Sequence, residues 1–81
     1  MNERRTISRQ SGEKTGTLNF GVGDIACTVH DLSDRGAMLR VLQSPWGIPD
    51  RLDLVIAAER LRRPCRVVWR RGQRLGVVFV A

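Results

Sequence analysis

The sequence is poor in the residues that build metal sites, disulfide scaffolds and membrane spans. It contains two cysteines, Cys27 and Cys65, and one histidine, His30. These residues are too few for a structural zinc site or a disulfide-stabilised fold. An uninterrupted apolar run of about eighteen residues, as a transmembrane helix needs, is missing, and the polar N-terminus is unlike a secretory signal. We therefore expect a cytoplasmic protein with no membrane span, metal or other cofactor, and with both thiols reduced in its core.

Lysine and aromatic residues are also scarce. Lys14 is the only lysine among 14 basic residues, and against 8 acidic residues the formal net charge is +6. Arginine presents a planar fork of donors that suits phosphates and guanine edges, so anionic partners are expected. The aromatic residues are two Trp and two Phe, with no Tyr. So few platforms for base stacking argue against a barrel that binds single-stranded nucleic acid.

From residue 17 onward the sequence alternates between apolar and polar residues. Six short alternating segments are separated by turn-forming stretches such as residues 31–36 and 71–73. A period of two with turns at this spacing is typical of an antiparallel barrel or sandwich, and no helical period is sustained. The alternation predicts that the following residues point inward: Leu18, Phe20, Ile25, Cys27, Val29, Leu39, Val41, Leu54, Ile56, Val67, Trp69, Val77 and Phe79. At least three of the four aromatic residues are thus expected to be buried.

The first residues have a different composition from the rest. Residues 1–16 are polar and include Arg4, Arg5 and Arg9, with too few large apolar side chains to form a core. Such a segment is predicted to be a flexible arm. The 81 residues therefore form one domain, with an arm over 1–16 and a β-barrel over 17–81.

Two short motifs combine charge with turn chemistry. Residues 5–9 form an RxxxR sequence that Arg4 directly precedes, and residues 31–36 form a DxSxxG turn between two predicted strands. Each motif alone is common in unrelated proteins. Their order, together with residues 66–70 (RVVWR) and 74–79 (RLGVVF), makes nearly the whole chain resemble the PilZ domain family.

The resemblance implies a six-stranded antiparallel barrel that binds cyclic di-GMP, a bacterial second messenger, and that acts with a protein effector. It implies ligand binding by Arg4, Arg5, Arg9, Asp31, Ser33 and Gly36. The chemistry agrees, because arginine can pair with guanine O6 and N7 or with phosphate, and a carboxylate can accept from guanine N1 and N2. A receptor or adaptor is expected rather than an enzyme, since the sequence contains no recognisable set of nucleophile, base and oxyanion donors.

Several alternatives remain open at this stage. Residues 10–14 are polar where the family usually places apolar residues, which leaves open a degenerate PilZ module that binds a protein without the ligand. Many members carry a C-terminal helix, and little or none is expected here. The arginine-rich run over 60–74 is either a solvated strand face or a surface for a partner, nucleic acid or acidic lipid. Ligand stoichiometry and the downstream process, whether motility, exopolysaccharide synthesis or attachment, are also undecided.

Overall fold

The computed structural model describes residues 13–21 and 23–80, which fold into a closed antiparallel β-barrel. The strands are β1 (Lys14–Phe20), β2 (Gly23–His30), β3 (Gly36–Arg40), β4 (Arg51–Ile56), β5 (Leu61–Arg71) and β6 (Arg74–Phe79). Around the barrel they follow the order β1-β2-β3-β6-β5-β4, and β4 pairs with β1 to close it. This confirms the predicted fold class. The helical segments in the described ranges are two 3₁₀ turns, Pro45–Gly47 and Ala57–Glu59, and neither is long enough to cross a membrane.

Alternate residues of the strands fill the barrel interior. The most deeply buried side chains include Leu18, Leu39, Leu54 and Leu75, each 0% exposed. Phe20, Ile25 and Phe79 are half-buried and pack against this core. The predicted inward-facing set is therefore confirmed at every position except Trp69. The alternation succeeds because a barrel has one apolar face and one solvated face.

The first strand begins earlier than the sequence pattern predicts. β1 starts at Lys14 and pairs with β2 from its first residue, so residues 14–16 belong to the barrel and not to the arm. The alternation does not reveal this because the inward position is occupied by a glycine. Gly16 is buried, and a Cβ atom there would come within 2.9 Å of Val29 Cγ2. The barrel interior is too tight at this point for the apolar side chain that a pattern search requires.

The prediction that Trp69 is a core residue is wrong, because β5 contains a bulge. Two of the four aromatic residues, Phe20 and Phe79, therefore pack against the core, and not the three that were expected. The pairing of β5 with β6 shifts between Val67 and Trp69, so Val68 is an extra residue that reverses the alternation. As a result Val68 and Trp69 both lie on the outer surface, 47% and 45% exposed. The following residue, Arg70, turns inward instead, and only 14% of its side chain is exposed.

Arg70 holds the long loop between β3 and β4 against the end of the barrel. Its Nε donates to the carbonyl oxygen of Pro45 at 3.0 Å, and its Nη2 donates to the carbonyl oxygen of Ile48 at 2.7 Å and to Asp50 Oδ1 at 3.0 Å. The guanidinium also lies 5.5 Å from the ring centroid of Trp46. Gln73 adds a second side-chain contact, from its Nε2 to the carbonyl oxygen of Leu42 at 2.6 Å, while the indole of Trp46 remains 71% exposed.

Candidate ligand-binding site

The turn that joins β2 to β3 is organised by the hydroxyl group of Ser33. Its Oγ accepts from the backbone N–H groups of Arg35 at 3.2 Å and Gly36 at 3.3 Å, and it donates to the carbonyl oxygen of Gly36 at 3.3 Å. The backbone N–H of Ser33 donates to the same carbonyl at 2.9 Å. One hydroxyl has one donor and two acceptor sites, so these contacts use all of them. The main role of Ser33 in the described structure is therefore to hold the shape of the turn.

Asp31 directly follows β2, and its carboxylate takes no part in these turn contacts. Its backbone has φ of 50°, in the left-handed region that aspartate tolerates better than most residues. The residue is exposed, and none of the ion pairs within residues 13–21 and 23–80 involves its carboxylate. The turn thus presents an acceptor for a ligand that carries N–H donors.

Gly36 lets the turn lie directly against β6. It is buried, and a Cβ atom at this position would come within 2.1 Å of the carbonyl oxygen of Val77 and 3.0 Å of Val78 Cα. These are backbone atoms, which cannot rotate away as a flexible side chain can. Glycine is therefore required by close approach of two strands, and it fixes the height of the turn above the sheet.

A groove of about 310 Å³ runs from this turn across the outer face of β3, β6 and β5. Asp31 and Ser33 line one end, and Met38, Val68 and Trp69 line the other. The indole of Trp69 lies flat over Gly76, where a Cβ atom would come within 2.1 Å of the indole nitrogen. A partly exposed ring and a carboxylate that line the same groove are suited to a planar base that also donates hydrogen bonds.

The structure brings together three of the predicted site residues, Asp31, Ser33 and Gly36. The other three, Arg4, Arg5 and Arg9, lie outside the described residues. Sequence reasoning missed Trp69, which it assigned to the core. Residues 67–69 are three consecutive apolar residues in an alternating strand, and this break in the pattern was the available indication of a bulge.

A comparison with protein-family models matches residues 3–81 to the PilZ domain. The chain belongs to the PilZ domain family. The family comprises modules and adaptors that bind cyclic di-GMP, not enzymes. No curated protein matches the sequence significantly.

The described part of this PilZ domain contains no cluster of three or more His, Cys, Asp or Glu side chains that could hold a metal ion. The two thiols are free and buried, and burial raises the pKa of Cys27 and of Cys65 to about 11. At neutral pH both are protonated, so they are poor nucleophiles and poor metal ligands.

Proposed function

We propose that this PilZ domain is a receptor for cyclic di-GMP, and that the ligand lies in the groove between the DxSxxG turn and Trp69. The observation that supports this most directly is the placement of the Asp31 carboxylate and the Trp69 indole at the two ends of one groove. A guanine on Trp69 would stack on a ring face, and its N1–H and N2–H groups would find an acceptor in a carboxylate.

In this proposal Arg5 and Arg9 supply cationic contacts in addition to Arg35, which lines the groove. Arginine forks pair with guanine O6 and N7 or with phosphate oxygens, and Arg4 adds a third cation beside them. Ser33 acts through the turn that it organises, so its contribution is to position Asp31 and the backbone of residues 35 and 36. Gly36 contributes by the close approach that no other residue permits.

We further propose that the domain works as an adaptor in the bacterial cytoplasm, where ligand binding changes its affinity for a protein effector. The free, buried thiols fit a reducing compartment. By linkage, a ligand that binds the free domain and the effector complex with different affinities shifts the balance between them. An adaptor of this kind requires one of two arrangements. Either the effector and the ligand bind the domain together, or they compete for it.

Isothermal titration of cyclic di-GMP into the unmodified protein and into single variants tests the proposal. Arg5→Ala, Arg9→Ala and Asp31→Ala should each weaken binding about ten- to a hundredfold, because each removes a charge-assisted contact. Trp69→Leu should weaken binding about five- to tenfold through the loss of stacking. Circular dichroism should remain that of the unmodified protein for all three variants, since Asp31 is exposed and both arginines precede the barrel. Thermal melting should be unchanged for the two arginine variants and slightly lower for Asp31→Ala, because alanine tolerates a φ of 50° less well than aspartate.

Arg62→Ala is the matched control. Arg62 is an exposed arginine of β5, and its Nη1 forms an ion pair with Asp53 Oδ2 of the neighbouring strand β4 at 2.6 Å. Its removal lowers the net charge by one, as Arg5→Ala does, and should change the affinity less than about twofold. Equal losses at all positions would show general electrostatic attraction. No binding at any salt concentration would favour the degenerate module, and tighter binding of a single-stranded oligonucleotide would favour a nucleic-acid receptor.

A further inference from the structure

Three arginines on adjacent strands stand directly opposite one another next to the groove. Arg40 of β3 pairs with Arg74 of β6, and Arg74 pairs with Arg71 of β5. Directly paired residues of antiparallel strands project to the same face, and all three are exposed, so they form one row on the outside of the barrel. We call this set, Arg40, Arg71 and Arg74, the arginine row.

The arginine row is electrostatically unfavourable in the free protein. Like charges that face each other across strands destabilise a sheet. The ion pairs found in the described ranges use Lys14, Arg62, Arg70 and His30, and none of them includes a member of the row. An arrangement that costs stability and has no carboxylate to balance it is suited to an anion from outside the chain.

The row also borders a cavity that reaches Trp69. A cavity of about 390 Å³ is lined by Trp69, Arg70, Arg71 and Arg74. This volume is in the range of small-molecule sites, which span roughly 300–1,000 Å³. Trp69 pairs with Gly76, and Gly76 pairs on its other side with Met38. Each of these three residues is two positions along its strand from a member of the arginine row. Trp69 therefore lies about 7 Å from the arginine row, measured along the strands. The indole therefore separates this cavity from the groove at the DxSxxG turn.

We propose that the arginine row is a phosphate subsite for a guanine nucleotide whose base contacts Trp69. Arg71 and Arg74 hold the phosphate in the cavity, and Arg40 adds charge from the next strand. The inference rests on the proposed function, which it extends by a second anion position on the far side of Trp69. The phosphate comes either from the same cyclic di-GMP molecule that occupies the groove or from a second molecule beside it.

The geometry favours a small nucleotide over a polyanion. The cationic side chains that line the cavity are Arg70, Arg71 and Arg74, and Arg70 is already bonded to the loop between β3 and β4. A nucleic-acid backbone is instead expected to follow an extended basic groove with several stacking aromatics. The two exposed indoles, Trp46 and Trp69, do not line a common cavity, so they do not provide such a track.

The test titrates inorganic phosphate, GMP and cyclic di-GMP into full-length protein and follows the arginine Nε–Hε resonances by NMR. GMP should shift the resonances of Arg71 and Arg74 together with the indole N–H of Trp69. Arg71→Gln and Arg74→Gln should each weaken GMP binding about three- to tenfold, since each removes one charge-assisted contact at an exposed position. Both variants should also melt at the same or a higher temperature, because they relieve repulsion within the row.

Arg51→Gln is the matched control. Arg51 is an exposed strand arginine that faces another arginine, Arg66, across β4 and β5, so the substitution removes the same charge and relieves the same kind of repulsion. It should change GMP affinity less than about twofold. Equal weakening by Arg51→Gln, Arg71→Gln and Arg74→Gln would overturn the subsite in favour of a diffuse field. A single-stranded oligonucleotide that binds more tightly than GMP and shifts arginines on every strand would overturn it in favour of a polyanion surface.

The same variants separate this inference from the proposed function. If cyclic di-GMP binds and depends on Asp31 but is unaffected by Arg71→Gln and Arg74→Gln, the subsite is wrong and the receptor stands. If GMP binds through the row while cyclic di-GMP does not bind, the receptor is wrong and the subsite stands. Calorimetric stoichiometry identifies the source of the phosphate. Loss of one of two ligands in Arg74→Gln indicates a second molecule, whereas weaker binding at an unchanged ratio of one indicates a single molecule that spans both positions.

Discussion

At the scale of single residues, the turn of the candidate site depends on the glycine at position 36, because a Cβ atom does not fit there. Gly36→Ala places a methyl group within 2.1 Å of a backbone oxygen of β6, so β3 and β6 must move apart. We expect a loss of about 1–3 kcal/mol in the free energy of unfolding, as for other overpacked positions. Urea denaturation measures this loss, and the affinity for cyclic di-GMP should fall with it because the turn is displaced.

Gly47→Ala is the control for that substitution. No atom lies within 4 Å of a Cβ atom built on Gly47, and its φ is not in the left-handed region. The change should be neutral or should stabilise the protein by up to about 1 kcal/mol, because alanine lowers the entropy of the unfolded chain. If both variants lose the same stability, steric exclusion at Gly36 is not the reason for its glycine.

The site residues differ in how far the sequence predicts them. Asp31, Ser33 and Gly36 were identified from a motif, because a turn of this kind is encoded by local chemistry within six residues. The motif did not identify Trp69, because the exposure of this residue depends on how β5 pairs with β6. The sequence of a single strand does not encode that pairing. The ligand-binding roles of all six residues stay predictions, and Arg4, Arg5 and Arg9 also lie outside the part of the chain that the structure describes.

At the scale of elements, the loop between β3 and β4 depends on Arg70. Arg70→Met keeps the aliphatic packing but removes the donors to Pro45, Ile48 and Asp50. We expect a loss of about 2 kcal/mol in unfolding free energy, since hydrogen bonds from a charged group contribute more than neutral ones. Amide hydrogen exchange should become faster at Ile48, whose N–H is bonded within this loop.

Arg66→Met is the comparison for this prediction. Arg66 is an exposed arginine on the same strand, and it faces Arg51 across β4 and β5 rather than a set of carbonyl groups. Its replacement should leave the unfolding free energy within about 0.5 kcal/mol of the original value. Similar losses for the two variants would mean that Arg70 contributes only as one more charge of β5.

The elements themselves were largely predictable, and the exceptions have clear causes. Six strands follow from the period of two, because each strand has one face in the core. The start of β1 was missed because Gly16 occupies an inward position without a side chain to mark it. The inward turn of Arg70 was missed for the same reason as the outward turn of Trp69, namely the bulge between Val67 and Trp69.

At the scale of the whole molecule, we expect the protein to lose stability at alkaline pH because its two thiols are buried. Burial raises the pKa of Cys27 and of Cys65 from 9.0 to about 11, so the unfolded chain releases these protons at lower pH than the folded one. The contribution of the protonated thiols to the free energy of unfolding is fully present below pH 9 and is lost as the pH rises through 11. The unfolding free energy should fall by roughly 2–5 kcal/mol across this interval, measured by urea denaturation at each pH.

The composition makes this titration easy to observe. The chain has no tyrosine and a single lysine, and these are the residue types besides cysteine that ordinarily titrate in this interval. The Cys27→Ala, Cys65→Ala double variant should lose most of the pH dependence, even though its stability at pH 7 is lower. An unchanged slope in the double variant would assign the alkaline loss to another group and would contradict the raised thiol pKa values.

Closure of the barrel restricts how a partner can recognise the domain. Because β4 pairs with β1, each described strand has a neighbour on both sides, although residues 14–16 of β1 and 23–27 of β2 are paired on one side only. An incoming strand therefore finds only short stretches of unpaired backbone such as these, and not a full sheet edge such as peptides use in edge-binding domains. The same closure shortens the template for strand-to-strand polymerisation. Recognition then rests mainly on side chains and loops, so point substitutions on the surface can change partner choice without altering the hydrogen bonds that hold the barrel together.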